Sequence, residues 1–381
     1  MTGTDEEFAT NAAYPMNTHT IQRIEILPVD IPVTDPFVVA TGARVAAQNL
    51  FVRVTLSDGA EGIGEAAPFP EVGGEDRPTS LAAATSLART MIGQSAADYE
   101  SLADRLMEQA PLQPAARCGL ETAVLDAYCR SQGMPLWRLW GEAEIRAHET
   151  DITIPICSLE KTVALSRAWH GRGFRLFKMK VGTDVEEDIR RLHAVHEALP
   201  GISFIGDGNQ GFSREDCLRF AGGVKQFGGR LVLLEQPVAR NDLEGLQAIR
   251  HLTGTPVAAD ESVRSLDDAR RVVEMQAADY INIKIMKTGV IEARRIAAFT
   301  RSIGLRLMVG GMLETRIAMG CSFSLVLGMG GFEVLDLDTP LLLSTDPVAG
   351  GYRYSGPHLQ PWQESGLAME TPSPADTIII E

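Results

Sequence analysis

The sequence predicts an α/β protein in which a (β/α) barrel is joined to a smaller α+β unit. Three observations lead there. Between Phe177 and Lys284 a charged or polar landmark recurs about every 25 residues, each closing a short apolar run. Amphipathic segments separate these runs, which is the alternation of repeated βα units. At 381 residues the chain also suits a barrel of about 200 to 250 residues plus a second, smaller domain. Charge placed at the carboxyl ends of parallel strands marks the face on which such barrels carry active sites.

Composition narrows the function. The net charge is −15 and the pI is near 5.0, and no run of Lys and Arg forms a stripe that would track phosphates, so nucleic acid is not an expected partner. The five cysteines (Cys118, Cys129, Cys157, Cys217 and Cys321) are scattered and contain no C-x-x-C pair, which argues against a disulfide framework or a zinc site. A reducing cytoplasm is the expected home. No run of about 18 apolar residues appears, so no membrane span is expected.

Taken in order, residues 1–17 are acidic and polar and read as a loose tail. From residue 18 the period is two: Ile21, Ile24, Ile26 and Val29 are followed by the apolar stretch 50–56 and the turn Ser57-Asp58-Gly59, implying two or three antiparallel strands. Residues 36–44, between them, read as a loop long enough to be functional. Helices are predicted near 78–94, 99–109 and 114–132, the last with Ala116, Leu120, Ala123, Val124 and Ala127 along one face. Residues 18–148 thus form an α+β unit.

Residues 149–345 carry the barrel. Its first strand is Ile152-Thr153-Ile154-Pro155-Ile156, its last Glu333-Val334-Leu335, and helices near 159–172, 184–199, 213–227, 242–252, 265–276, 289–303 and 315–327 lie between eight strands. Residues 346–381 are rich in Pro and Gly and end in Thr377-Ile378-Ile379-Ile380, too apolar to hang free; they are expected to return to the first unit.

Asp207, Glu235 and Asp260 end successive strands. Neighbouring carboxylates repel unless a hard cation lies among them, and three oxygen donors that leave positions open for substrate and water suit Mg²⁺. One strand-end acid alone is as readily a solvated side chain; three in phase are not. Lys180 precedes the acids and Lys284 follows them, so a closed barrel sets the two across the cation from each other. An ammonium near a divalent cation, and for Lys180 near Lys178, has its neutral form favoured. Two bases on opposite faces of one carbon can remove a proton and return another.

The series Lys178-Met179-Lys180, Asp207-Gly208-Asn209, Glu235-Gln236-Pro237, Asp260-Glu261-Ser262 and Lys284-Ile285-Met286-Lys287-Thr288-Gly289 resembles the enolase superfamily, muconate-lactonizing subgroup. Gly62-Ile63-Gly64-Glu65-Ala66 and Gly133-Met134-Pro135-Leu136 resemble its capping domain. The resemblance implies a modified TIM barrel of (β/α)7β type, with an α+β capping domain built from the N-terminal segment and the C-terminal tail. It implies abstraction of a proton α to a carboxylate, giving an enediolate held by Mg²⁺. Asp207, Glu235 and Asp260 would be the metal ligands, Lys180 and Lys284 the acid/base pair, and Lys178 a substrate contact. Val290 departs from the family pattern, in which many relatives carry a second glycine after Gly289.

Within the subgroup, Asp336-Leu337-Asp338 resembles the dipeptide epimerases, whose acid pair holds a free α-ammonium. Two strand-end acids not needed by the metal do form an anionic corner suited to a cationic amine. Arg44 matches the position at which Ala-Glu epimerases place an arginine for a side-chain carboxylate, and Thr153 matches a substrate-contacting position. Glu314 faces the pocket if the seventh strand ends at Val309, with no role assigned. The implied activity is epimerisation at the C-terminal residue of an L,L-dipeptide such as L-Ala-L-Glu. Muconate cycloisomerase, o-succinylbenzoate synthase and N-acylamino acid racemase share the scaffold but have no free amine to bind. A non-catalytic metal-binding scaffold would have no use for both lysines. Relatives are often homo-oligomers, and a homo-oligomer is expected.

Overall fold

Alternating burial organises the first unit. In β1 (Ile21–Val39) the side chains of Ile21, Ile24, Ile26 and Ile31 are buried. This strand pairs antiparallel with β2 (Gly42–Leu56), which pairs with β3 (Glu61–Ala66). The computed structural model describes residues 19–371 and 377–381, so the tail expected over residues 1–17 lies outside them. Three helices cover the sheet: α1 (Arg77–Met91), α2 (Tyr99–Gln109) and α3 (Pro114–Ser131).

Residues 36–44 are not a long loop. Phe37, Val38 and Val39 pair with Arg44, Ala43 and Gly42, leaving Ala40 and Thr41 as a tight turn. The register shifts between Pro32 and Phe37. Pro32 and Pro36 flank this irregularity, where a missing N–H costs least. The β-propensity of Phe-Val-Val decides the rest.

Eight parallel strands follow: β4 (Ile152–Ile154), β5 (Leu176–Lys180), β6 (Ser203–Asp207), β7 (Leu231–Glu235), β8 (Val257–Ala259), β9 (Tyr280–Ile283), β10 (Arg306–Val309) and β11 (Phe332–Leu335). Helices α4 (Leu159–Gly171), α5 (Val185–Ala198), α6 (Arg214–Gln226), α7 (Leu243–Thr253), α8 (Leu266–Glu274), α9 (Val290–Ser302) and α10 (Arg316–Met329) follow the first seven strands, and only a 3₁₀ turn, Thr339–Leu341, follows the eighth. Strand order matches chain order, and the curled sheet brings its edges together where the Asp151 N–H donates to the Leu335 carbonyl at 2.9 Å. Ile205, Leu233, Ala258, Tyr280 and Met308 form an apolar cluster of their own. The first four lie two residues before Asp207, Glu235, Asp260 and Asn282, and Met308 lies two before Gly310, so all five share the inward face of those positions. No helix of the described residues is long and apolar enough to cross a membrane.

Buried acids fasten the first unit to the barrel. Glu65 of β3 accepts from the Thr315 N–H (2.9 Å), Thr315 Oγ1 (2.7 Å) and the Ala318 N–H (3.2 Å), at the start of α10. Glu121 of α3 accepts from the N–H groups of Val290 (2.6 Å) and Ile291 (3.0 Å), at the start of α9. Helix N-termini present unsatisfied donors and partial positive charge, so a carboxylate is their natural partner. Gly289 adopts φ +89, and a Cβ there would press on Glu121. Finally, β12 (Ile378–Ile380) pairs antiparallel with β1, Ile380 opposite Ile24.

The contact between β3 and α3 depends on small residues. A Cβ on Gly64 would run into the Gly119 carbonyl oxygen and the Ala123 nitrogen. Gly64→Ala is therefore expected to lower the unfolding free energy by about 3 kcal/mol, the upper end of over-packing effects. The fall would be read as a lower denaturation midpoint at unchanged slope; an unchanged midpoint would mean that β3 and α3 can separate without cost.

Candidate active site at the carboxyl end of the barrel

Above the apolar cluster the barrel interior turns ionic. β5 contributes Lys178 and Lys180, β6 ends in Asp207 and β7 in Glu235, while Asp260, Lys284, Asp336 and Asp338 lie just past β8, β9 and β11. Asp207 and Glu235 are in register on adjacent strands, as are Lys180 and Asp207. None of these eight residues is more than 5% exposed, so each charge must be answered by another.

Lysines answer them. Lys178 Nζ lies 2.6 Å from Asp336, 2.8 Å from Glu235 and 3.0 Å from Asp207. Its approach to Glu235 Oε2 is an ion-pair contact outside hydrogen-bonding geometry. Lys180 Nζ donates to Asp207 (2.6 Å) and Asn209 Oδ1 (3.1 Å). Lys284 Nζ donates to Asp260 (2.6 Å) and stands 3.5 Å from Glu235. The two lysines thus hold opposite ends of the row Asp207, Glu235, Asp260. Lys287 binds Asp260 as well (2.6 Å), Asn282 donates to Glu235 (2.9 Å), and the Phe37 ring sits 5.6 Å from Lys180 Nζ.

The electrostatics follow from these contacts. Burial would raise Asp207, but Lys178, Lys180 and Lys284 outweigh it and bring the carboxyl down to about 2. Asp260 is likewise held well below the carboxylate range, against its burial, by Lys284 and Lys287. Glu235, in the middle, is pushed up to about 7 by burial and the charge of Asp207. Burial would lower Lys284, yet Asp260 and Glu235 hold its ammonium above the ordinary lysine range. With its proton bound this firmly, Lys284 is an acid and not yet a base.

The acid pair past β11 has a third member that sequence reasoning missed. Carboxylate oxygens of Asp151, Asp336 and Asp338 lie within 4.8 Å of one another. Both Asp151 oxygens are buried without a hydrogen-bond partner among the described residues. The signal was present in the chain: Asp151 stands two residues before Thr153 and so shares its strand face. Asp336 accepts from Lys178, and Asp338 accepts from the Thr153 N–H at 2.6 Å. Thr153 and Phe37 also line a cavity of about 250 Å³, together with Leu165, Trp169, Leu341 and Leu342.

Arg44 is engaged elsewhere. Its Nε donates to both Glu71 carboxylate oxygens (2.9 and 3.0 Å), and the guanidinium lies 5.3 Å from the Phe69 ring centre. Glu314 is fully buried; Oε1 accepts from the Met312 N–H (2.6 Å), and Oε2 has no partner among the described residues.

Comparison with known proteins agrees with this fold. The family described as Enolase C-terminal domain-like matches residues 161–374, and the Mandelate racemase / muconate lactonizing enzyme N-terminal domain matches residues 22–141. The chain belongs to the enolase superfamily. An aromatic dipeptide epimerase of Herpetosiphon aurantiacus is 41% identical over 342 residues, covering 90% of this chain and 96% of that protein. An L-Ala-D/L-amino acid epimerase of Populus trichocarpa is 40% identical, covering 88% and 81%. Among solved structures, the dipeptide epimerase of Enterococcus faecalis complexed with Mg and L-Leu-L-Tyr superposes with a TM-score of 0.88 at 29% identity, covering 92% of this chain and 99% of that one. This superfamily member is an isomerase of the racemase and epimerase kind.

Burial pushes the Glu314 carboxyl up to about 8, so it is protonated at neutral pH. An acid raised in the folded state contributes its stability below the unfolded value and loses it as pH rises through the folded one. Glu314→Gln resembles the neutral acid but does not titrate. Relative to that variant, metal-free wild type should lose up to about 1.4 kcal/mol per pH unit between the ordinary glutamate range and about pH 8. Parallel stability curves for the two proteins would mean that Glu314 is ionised throughout.

Proposed function

We propose that this enzyme is a Mg²⁺-dependent dipeptide epimerase, inverting the α-carbon of the C-terminal residue of an L,L-dipeptide by two-base proton transfer. The observation that carries the reading is the placement of Lys180 and Lys284 on Asp207 and Asp260, at opposite ends of the acid row. A Cα–H seated between them meets one amine on each face. One lysine takes the proton as the other, still an ammonium, supplies the replacement, and the roles exchange for the reverse direction.

Asp207, Glu235 and Asp260 fit a hard divalent cation: the donor set is all oxygen, it is buried, and only ammonium groups now offset it. When bound, such a cation polarises the substrate carboxylate and offsets the charge that develops on its oxygens. Asp207 and Asp260 are also the partners of the two lysines. With their charge committed to a cation, the pull that keeps the proton on Lys284 would weaken. Lys178, between the acid row and Asp336, faces the substrate's charged groups. Asp336 and Asp338, with Asp151 behind them, form the corner for a free α-ammonium. That corner favours dipeptides over N-acylamino acids, which have no amine to place there.

The side-chain preference departs from L-Ala-L-Glu. Reading an acidic side chain would require a free Arg44, and Glu71 already holds that guanidinium. The ring of Phe37 and the cavity of about 250 Å³ it lines with Trp169 and Leu341 support an apolar or aromatic side chain.

The tests are direct. In D₂O with Mg²⁺, apolar and aromatic L,L-dipeptides should take up one deuteron, ahead of L-Ala-L-Glu and of N-acetyl or N-succinyl amino acids. Uptake confined to the N-acylated compounds would overturn the dipeptide reading; L-Ala-L-Glu in first place would restore Arg44 to the role the sequence suggested. Lys180→Ala should leave exchange in one Cα epimer and Lys284→Ala in the other, with epimerisation lost in both. Equal exchange from both epimers in either variant contradicts two bases. Asp207→Asn, Glu235→Gln and Asp260→Asn should each cost orders of magnitude in rate, and exhaustive EDTA treatment should abolish turnover.

A further inference from the structure

Between the first unit and the barrel lies a second cavity, of about 730 Å³. Neither Lys180 nor Lys284 lines it, and none of Asp207, Glu235 and Asp260 does. Its walls come from residues 73–75, from residues 111–117 at the start of α3, from the loops after β7 and β8, from Asp268 and Arg271 of α8, and from Lys287, whose ammonium turns to Asp260.

Four guanidinium groups line it; that of Arg271 is paired with Asp268, which leaves those of Arg117, Arg264 and Arg240. Arg117 is 3% exposed; its Nη2 donates to the Thr288 carbonyl at 2.9 Å, while Nε and Nη1 have no partner among the described residues. Arg264 donates to the carbonyls of Gly73 (2.8 Å) and Val72 (2.9 Å), and its buried Nε has none. The Arg240 guanidinium is exposed and makes no hydrogen bond or ion pair among the described residues. Arg240 Nη1 and Arg264 Nη2 come within 3.1 and 3.6 Å of the point where a Cβ on Gly73 would sit. The two cations therefore converge over a backbone position that has no side chain, at φ +81.

Acids lie near these groups without pairing to them: Glu121 and Glu75 act on Arg117 through space, and Glu261 and Glu75 on Arg264, but among the described residues none forms a hydrogen bond or close ion pair with either guanidinium. Glu75 directs Oε1 to the N–H groups of Ala115 (2.8 Å) and Ala116 (3.1 Å), Asp268 is paired with Arg271, and Glu261 accepts weakly from Asn209 (3.4 Å). Buried guanidinium N–H groups left unpaired are costly, and each planar fork matches an oxyanion. We infer that this cleft binds a small, multiply charged oxyanion, a phosphate ester or a polycarboxylate, held by Arg117, Arg240 and Arg264. The volume lies in the range of organic ligands and exceeds what one inorganic ion fills. Because Arg264 ties Val72 and Gly73 to the loop that follows Asp260, an anion here would clamp the first unit onto the barrel. This inference stands apart from the dipeptide reading and survives its failure.

The test uses the Mg²⁺-loaded full chain at fixed ionic strength, titrated with inorganic phosphate and separately with citrate, chloride serving as control. Calorimetry and thermal unfolding should show saturable binding and a rise in Tm with at least one of the two, and the stronger of them identifies the anion class. Arg240→Gln, at an exposed side chain with no structural bond, should weaken binding by about tenfold or more, and Arg264→Gln by at least as much. No saturable response in wild type would overturn the inference. So would undiminished binding in Arg240→Gln, which takes the anion out of this cleft, or binding that dipeptide displaces competitively, which places it at the lysines instead.

Discussion

An excess of buried negative charge governs the carboxyl end of the barrel. Asp151, Asp207, Glu235, Asp260, Glu261, Glu314, Asp336 and Asp338 are all nearly inaccessible, and only Lys178, Lys180, Lys284 and Lys287 stand against them. Carboxylates at this density are tolerated only if some are neutral, some are shared, and the rest await cations. Each state is visible. Burial pushes the Glu314 carboxyl up to about 8 and holds Asp151 well above the usual carboxylate range, Lys178 is divided among three acids, and the oxygens of Asp151, Asp336 and Asp338 crowd within 4.8 Å of one another. A site built this way selects cationic ligands before any contact of shape.

The apolar cluster beneath it makes that concentration possible. Ile205, Leu233, Ala258, Tyr280 and Met308 fill the barrel beneath the ionic layer, removing the water that would otherwise solvate the acids from below. Low polarity underneath and ionic pairing above confine productive hydration to the mouth.

What the chain reveals on reading and what it conceals divide along sequence distance. The eight barrel strands are local patterns, short apolar runs closed by an acid or a lysine, and their order in space repeats their order in the chain, so adjacency of Asp207, Glu235 and Asp260 follows from the period alone. Asp151 is different. Its meeting with Asp336 and Asp338 depends on the first and eighth strands coming together, and nothing near residue 151 announces that. Arg44 shows the same limit: its partner Glu71 lies beyond two strands and a turn, so the residue looked available when it is taken. The stretch 36–44 read as a loop because of its length, and only the pairing of Phe37 with Arg44 shows that its two sides continue the strands. Arg117, Arg240 and Arg264 come from three segments whose convergence is purely tertiary.

The pairing of Ile380 with Ile24 carries a kinetic consequence. Two strands more than 350 residues apart in sequence share one edge, with all eight barrel strands made between them. During synthesis that edge of β1 stays open until the entire barrel has emerged. An open edge bearing isoleucines can recruit a strand from another nascent chain, so the interval before closure is when this protein is most exposed to misassembly, and it lengthens with every pause in translating the barrel.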